Sequence, residues 1–416
     1  MKRVIRIGSK RKSRLTGQEK ALTQDGNARV ALIRALIPIG LEAVAEELER
    51  EVERLAGAKH SRSGGLPGHY RWGGQGGSVY LADQKVKTRI PRVRNVLENN
   101  EVPLESYRLL QKPRNGDEGV MRKVLYGLSC RKYEQCAEAV PGALGLSSSS
   151  ISRRFIQVSA GKVQEMLERD LSGYDLVALF LDGKSFAEDE MILALGVTLE
   201  GEKVVLGVIQ AGTENETVIK AFLSDLLGRG LNIEGGILCV IDGAKGLRSA
   251  IRKVFADKAL VQRCQWHKRE NVVEYLPKSH QSSWRRRLQQ AYEKPTYEEA
   301  KAALHRLKPE LKLLNVSALA SLEEGLEETL TLHRLGLFAE LGISFKTTNC
   351  IESVMALVGQ YTDKVDCWRN SSQKHRWVGT ALLEIEHGLR RVKGYRKLWK
   401  LREALKRHTG VLREAA

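Results

Sequence analysis

The chain has 416 residues, with 68 Lys and Arg against 50 Asp and Glu, a formal net charge of +18. That length exceeds what one small core needs, and 42% hydrophobic residues is enough to build several. No apolar run reaches the roughly 18 residues of a membrane helix, which excludes a spanning class, and the basic excess points to a polyanionic partner, nucleic acid ahead of anionic lipid.

The basic start, residues 1–14, has no apolar segment behind it and does not read as a secretory signal. The six cysteines are Cys130, Cys136, Cys239, Cys264, Cys350 and Cys367. They form no CxxC pair and fit a reducing cytoplasm rather than a disulfide scaffold.

Residues 27–55 read as one helix, followed by a glycine-rich break over 61–78. Two short alternating segments, 78–81 and 85–90, then suggest a small β-ribbon. Its basic residues, Arg71, Lys85, Lys87, Arg89, Arg92 and Arg94, meet only Asp83 as an acid, so the ribbon is a candidate phosphate contact; a solvated hairpin has the same composition.

Residues 118–160 read as three short helices, 121–128, 131–139 and one that starts at the Ser147–Ser149 caps and ends near Ser159, with a stop at Pro141 and Gly142. This is a helix-turn-helix layout. Ser149, Ser150, Ser152, Arg153 and Arg154 fall on the early turns of its last helix and are candidate DNA contacts, although short helix pairs without DNA are common.

From residue 174 the pattern changes. Strands are expected at 177–181, 191–199, 203–210, 236–241 and 260–263, with helices at 216–227 and 244–255. The order β-β-β-α-β-α-β is that of an RNase H-like core, a mixed five-stranded sheet with helices on both faces. Residues 268–345 are helical by pattern, with breaks at Pro277, Pro295 and Pro309. Residues 349–408 return to helices, and twelve basic residues face three acidic ones between Arg369 and Arg407.

The expected division is a helical segment (1–60), a glycine-rich break with the basic ribbon (61–117), a helix-turn-helix-like DNA-binding region (118–172), an α/β catalytic core (173–267 with 347–368), an all-α insertion (268–346) and basic C-terminal helices (369–416).

Two apolar strands each deliver one aspartate beside a glycine: Asp182 before Gly183, and Asp242 before Gly243. In the expected sheet the first and fourth strands are neighbours, so both acids come within reach of one metal ion. A third must come from a helix, and Glu352 in the stretch 347–352 (TTNCIE) is the candidate. Asn349 followed three residues later by Glu352 is also a capping box, and the residues alone leave both roles open. Phosphodiester cleavage develops charge on two oxygens, which a pair of divalent ions stabilises; hard carboxylate ligands suit Mg²⁺ or Mn²⁺.

Five stretches together resemble the Mutator-type transposase family of bacterial insertion sequences: 85–94 (KVKTRIPRVR), 181–183 (LDG), 240–247 (VIDGAKGL), 263–271 (RCQWHKREN) and 347–352. The likeness spans about residues 79–407, and the 110-residue gap from Asp242 to Glu352 matches a helical insertion. The resemblance implies a DDE triad of Asp182, Asp242 and Glu352, holding two Mg²⁺ or Mn²⁺ ions. It implies hydrolysis and strand transfer on double-stranded DNA, at terminal inverted repeats and target, by a dimer or larger assembly at the bacterial nucleoid. Cys264 and His267 match the family's C-x₂-H motif. Two ligands fall short of a structural zinc site, so no zinc is expected. Cys264, Trp266 and His267 are expected to support the active site or touch DNA, with Trp266 able to stack on an unpaired base; a buried Trp and His pair is the plain alternative. A nuclease that cuts without joining, or a silent DNA-binding regulator, would share much of this pattern.

Overall fold

Residues 26–61, 64–81, 84–111, 116–136, 144–186, 189–211 and 215–410 are described by a computed structural model. They fall into two units, one formed by residues up to 124 with 128–155, the other by 125–127 with 156–416.

The first unit is built on helix α1 (Gly26–Ala56) and a three-stranded antiparallel sheet, β1 (His69–Leu81), β2 (Gln84–Asn95) and β3 (Asn100–Val102). Val44, Leu48 and Val52 of α1 pack on Val79, Ile90 and Val93 of the ribbon. The ribbon is longer than its alternating segments suggest, because β1 runs through most of the glycine-rich stretch. Glycine leaves no side chain to alternate, so the sequence pattern reads as a break where the backbone still pairs. A bulge lies between Arg71 and Gly74, where Gly73 takes φ +72°. The short helix α2 (Glu105–Leu110) is capped from outside: Glu51 of α1 accepts the N–H groups of Glu105 and Ser106 at 2.8 and 2.9 Å.

Three further helices follow, α3 (Gly116–Leu125), α4 (Tyr133–Cys136) and α5 (Ser148–Leu167). The expected stop at Pro141 and Gly142 lies outside the described residues. The last helix does not end near Ser159 but runs eight residues further, since Val163 and Met166 are buried and keep its apolar face going.

The second unit holds a mixed sheet in the order β6-β5-β4-β7-β8: β4 (Leu176–Phe186), β5 (Asp189–Thr198), β6 (Lys203–Ala211), β7 (Ile237–Ile241) and β8 (Ala259–Arg263). The first and fourth strands of the series are therefore neighbours, and they pair in parallel. Residues 176–181 are all fully buried, the continuous apolar run expected of a central strand covered on both faces. Leu179 and Leu181 pack with α6 (Glu216–Gly228) and α7 (Lys245–Phe255) on one face. On the other, Phe180 stacks on Phe345, with ring centroids 5.7 Å apart.

After β8 come the helices of the insertion: α8 (Gln265–Glu274), α9 (Lys278–Tyr292), α10 (Tyr297–Leu314), α11 (Val316–Glu323), α12 (Leu326–Thr329), α13 (Thr331–Arg334) and α14 (Phe338–Phe345). They enclose their own core around Trp284, Leu288, Leu304 and Leu322. Pro309 does not break α10 as its residue type suggests; the helix continues through it, held by Leu304 and Leu311, both fully buried. The insertion is fastened to the sheet by buried Gln262 of β8, whose Nε2 donates to Thr329 O at 3.0 Å and whose Oε1 accepts Leu332 N–H at 2.9 Å. Helices α15 (Asn349–Thr362), α16 (Ser371–Glu386) and α17 (Leu398–His408) complete the unit. No helix among the described residues is long and apolar enough to cross a membrane, and all six cysteines are free.

Candidate active site

The parallel pairing of β4 with β7 ends at Leu181 opposite Ile241. Asp182 and Asp242 are the next residues on each strand, so two half-buried carboxylates leave adjacent strands at one level. Asp182 does not end its strand, as the sequence suggests. β4 continues to Phe186 by pairing with β5, with Asp182 opposite Leu193; it is the β7 side alone that stops. Asp242 closes a tight turn, its Oδ1 accepting Ala244 N–H at 2.8 Å, and Gly243 supplies the φ of +113° that follows.

The end of β7 also anchors the next element. Cys264 N–H donates to Ile241 O at 2.7 Å, and Cys264 caps α8 by accepting His267 N–H at 3.5 Å. Gln265 N–H donates to Lys346 O at 2.9 Å, which draws the chain before α15 alongside.

Glu352 enters from α15, which packs on β4. The capping-box role is not what its geometry provides. The helix begins at Asn349 with Thr348 as its cap, so Glu352 sits one position too far along to close the box. Its Oε1 instead accepts the Thr348 hydroxyl at 2.5 Å. Thr348 Oγ1 is also 3.2 Å from His267 Nδ1 and 3.4 Å from Cys264 Sγ. A hydroxyl has one proton, and the short bond to a carboxylate is the stronger. His267 Nδ1–H therefore donates to Thr348, and Thr348 to Glu352.

His267 is protonated well past neutrality. Its pKa is raised to about 9 by its hydrogen bond to Cys264, against the pull of burial, and by the negative charges of Cys264, Glu352 and Asp242. Burial pushes the Cys264 thiol up, but the bonds from the His267 ring and backbone, with the His267 charge, oppose it and the net shift is downward. Cys264, His267 and Glu352 are thus joined through Thr348 by hydrogen bonds, and Asp242 acts on His267 through its charge alone. Trp266 is exposed, at 46%, with its ring edge-on to His267 at 4.8 Å. The buried-pair alternative for it does not hold.

Among the described residues no three His, Cys, Asp or Glu side chains stand together as a finished set of metal ligands. The donor chemistry still fits a hard divalent cation: Asp182 and Asp242 leave neighbouring strands, and the bonds of Asp242 and Glu352 described above each use one oxygen of a carboxylate that has two.

The basic residues singled out from the sequence lie in the first unit. Lys87 and Arg89 are exposed on β2, opposite Ser78 and Gly76. Acids other than Asp83 serve the rest of the ribbon: Arg92 is bidentate on Glu101, at 2.8 and 2.5 Å, and Arg71 reaches Glu49 at 2.5 Å. These partners are distant in sequence or on the far side of a turn, which is why the ribbon looks unpaired there; Asp83 itself lies outside the described residues. Arg94 lies over Trp72, 4.9 Å from its centroid, and donates to Asn99 at 2.6 Å. On α5, Ser149 and Arg153 are exposed, Ser150 bonds Ser147 at 3.0 Å, and Arg154 is ion-paired with Asp117, its side chain only 11% exposed.

Two residues with a part in the site carried no assigned role in the sequence. Thr348 is one; it falls in the stretch 347–352 that carries the resemblance, and four residues before Glu352 on one helix face, but neither signal gives it a role. Arg263 is the other: it opens the stretch 263–271 that carries the resemblance, but only the fold shows that its guanidinium lies against Gly243, beside Asp242.

Residues 11–390 match the family model described as Transposase, Mutator family. The chain is 27% identical over 407 residues to the transposase for insertion sequence element ISRM5 of Rhizobium meliloti (strain 1021), covering 94% of this chain and 99% of that one. It is 31% identical over 242 residues to the transposase for element IS6120 of Mycolicibacterium smegmatis, covering 56% of this chain and 73% of that one. It is 26% identical over 280 residues to the transposase for element IS256 in transposon Tn4001 of Staphylococcus aureus, covering 62% and 67%. With a match of that extent, the chain belongs to the Mutator family of transposases.

Proposed function

We propose that this chain is the transposase of an insertion sequence, an RNase H-like enzyme in which Asp182, Asp242 and Glu352 form a DDE site that cuts and joins DNA. The observation that carries the reading is the end of the β4–β7 pairing at Leu181 and Ile241, which brings two aspartates side by side, with Glu352 linked to the same sheet edge through Thr348 and His267. The strand order, with the first and fourth strands central, supports the RNase H-like assignment.

The three carboxylates would hold two Mg²⁺ or Mn²⁺ ions, which when bound neutralise charge on the reacting phosphate and activate water. Thr348 fixes the direction of Glu352. His267, a cation at neutral pH, offsets the acids around it. Trp266 offers an exposed ring to an unpaired base at the cut end. Hydrolysis at an element end frees a 3′-hydroxyl; that hydroxyl then forms a new P–O bond to target DNA while the target's own P–O bond breaks. Lys87, Arg89 and Arg153 meet backbone phosphate, and Ser149 and Ser150 open a helix-turn-helix-like reading helix. The partner is double-stranded DNA, first the inverted repeats and then the target, with two ends held by at least two copies in the bacterial cytoplasm.

The test is cleavage and joining of a repeat-end duplex with Mg²⁺. Asp182→Asn, Asp242→Asn and Glu352→Gln are each expected to bind the duplex and to lose both products. Full activity in any of them removes that acid from the triad. Cutting without joining by the unaltered chain would make it a nuclease, and binding with neither would make it a regulator.

A further inference from the structure

Arg263, the last residue of β8, lies buried between two glycines. A Cβ on Gly243 would sit 1.9 Å from its Nε, and a Cβ on Gly325 would sit 2.6 Å from one of its terminal nitrogens, Nη1. Both glycines have positive φ, +113° and +68°, and each follows an acid: Gly243 follows Asp242 and Gly325 follows Glu324. The guanidinium is the filling between these two turns, with its side chain only 5% exposed.

Its bonds run one way. Nη1 donates to Glu324 O at 3.1 Å and Nη2 to a Glu324 carboxylate oxygen at 3.3 Å. Toward Gly243 it makes contact without a hydrogen bond, and among the described residues the buried Nε–H has no partner. Leaving a buried cation with one donor unmade is costly, and an apolar side chain of similar length would fill the space without that cost. A hydrogen bond toward the sheet is what an ordinary buttress would make. A flat cation pressed on the backbone beside Asp242 instead fixes where the turn can go.

We infer that Arg263 is a positioning residue for Asp242: it presses the Asp242–Gly243 turn from below and ties its position to Glu324 in the helical insertion. The insertion then does more than lengthen the chain between the second and third acids, because its Glu324–Gly325 turn sets the floor on which the second acid rests. The inference builds on the reading of Asp242 as a metal-holding acid. It makes metal binding, rather than folding alone, sensitive to a residue of the insertion that touches no carboxylate of the triad.

The test uses the full chain with three variants. Arg263→Lys keeps the charge and loses the fork. Gly325→Ala removes no polar group and crowds Arg263 from the insertion side. Asp242→Asn is the reference. Mn²⁺ binding is measured by calorimetry, repeat-end cleavage is followed against Mg²⁺ concentration, and thermal melting reports folding. Arg263→Lys and Gly325→Ala are each expected to raise the Mn²⁺ dissociation constant and the half-saturating Mg²⁺ concentration by about tenfold or more, with duplex binding unchanged. Folded variants with unaltered metal affinity and metal dependence would reduce Arg263 to a buttress of the insertion and overturn the inference. If Arg263→Lys fails to fold, Gly325→Ala carries the test by itself. Unaltered Mn²⁺ affinity in Asp242→Asn would instead strike the underlying reading of Asp242, whatever the other two variants do.

Discussion

Thr348 donates to Glu352 at 2.5 Å across one turn of helix, and the same oxygen lies 3.2 Å from His267. A carboxylate held this way has one oxygen fixed and the other free of that bond. Replacing Thr348 by Val keeps the shape and removes the donor. Repeat-end cleavage is expected to fall about 10- to 100-fold in Thr348→Val, the usual cost of losing a support behind a ligand, while Thr348→Ser recovers most of it. Steady-state cleavage rates decide the point; equal rates in Val and Thr proteins would show that Glu352 needs no such support.

Two successive residues of α8 titrate in opposite directions. His267 is raised from 6.5 to about 9, so between these values the folded chain holds a proton that the unfolded chain has lost. Its stabilising contribution is full below pH 6.5 and is lost as pH rises through about 9. Lys268 is lowered from 10.5 to about 8, chiefly by burial and then by the charge of Arg263. Its penalty is full below about 8 and is relieved as the pH rises toward 10.5. Urea unfolding with EDTA present, followed from neutral to alkaline pH, checks both. His267→Gln should flatten the fall in stability between 6.5 and about 9, and Lys268→Met should remove the rise between about 8 and 10.5. A His267→Gln curve parallel to the unaltered one throughout would contradict the assignment.

The basic residues of the first unit should separate into two kinds. Lys87→Ala and Arg89→Ala remove exposed side chains, so stability should change by less than about 0.5 kcal/mol. Each should weaken duplex binding and reduce the slope of log affinity against log salt by about 0.9. Arg154→Ala breaks an ion pair with Asp117 at a side chain 11% exposed. It should cost about 2 kcal/mol of stability, below the full cost of orphaning a wholly buried charge. Fluorescence anisotropy across a salt series, with urea melts beside it, distinguishes them.

Trp266 is nearly half exposed, so Trp266→Ala should leave the melting temperature within a degree or two of the unaltered chain, as surface substitutions usually do. Joining should nevertheless drop, and more on a fully paired end than on one whose terminal bases are already unpaired. A loss equal on both substrates would argue against stacking.

Much of the second unit could be read from residue order. Each strand of its sheet is a short apolar run bounded by turn residues, and such runs declare themselves locally. The expected bounds of β6, α6 and β8 fall within a residue of those observed. The neighbouring positions of Asp182 and Asp242 followed from the strand order, because that order decides which strands pair. What stayed hidden depends on contacts between distant segments. The Gly73–Gly77 stretch looked like a break because its pairing partner, not its side chains, makes it a strand. Pro309 looked like a helix end because the packing that carries α10 past it belongs to other elements. The supports of the acids, Thr348 and Arg263, are defined by what they touch, and no periodicity in the chain points at them.

Pairing at Leu181 and Ile241 is complete once β7 has been made, but Glu352 follows only after the entire helical insertion. During synthesis on the ribosome, then, both aspartates are translated well before Glu352. Any chain cut short inside the insertion would carry the first unit and both aspartates but lack Glu352 and Phe345, whose ring stacks on Phe180 of the central strand. The order of the elements along the chain thereby makes the edge beyond Leu181 and Ile241 the last part of the sheet to be covered, by helices that come after the whole insertion.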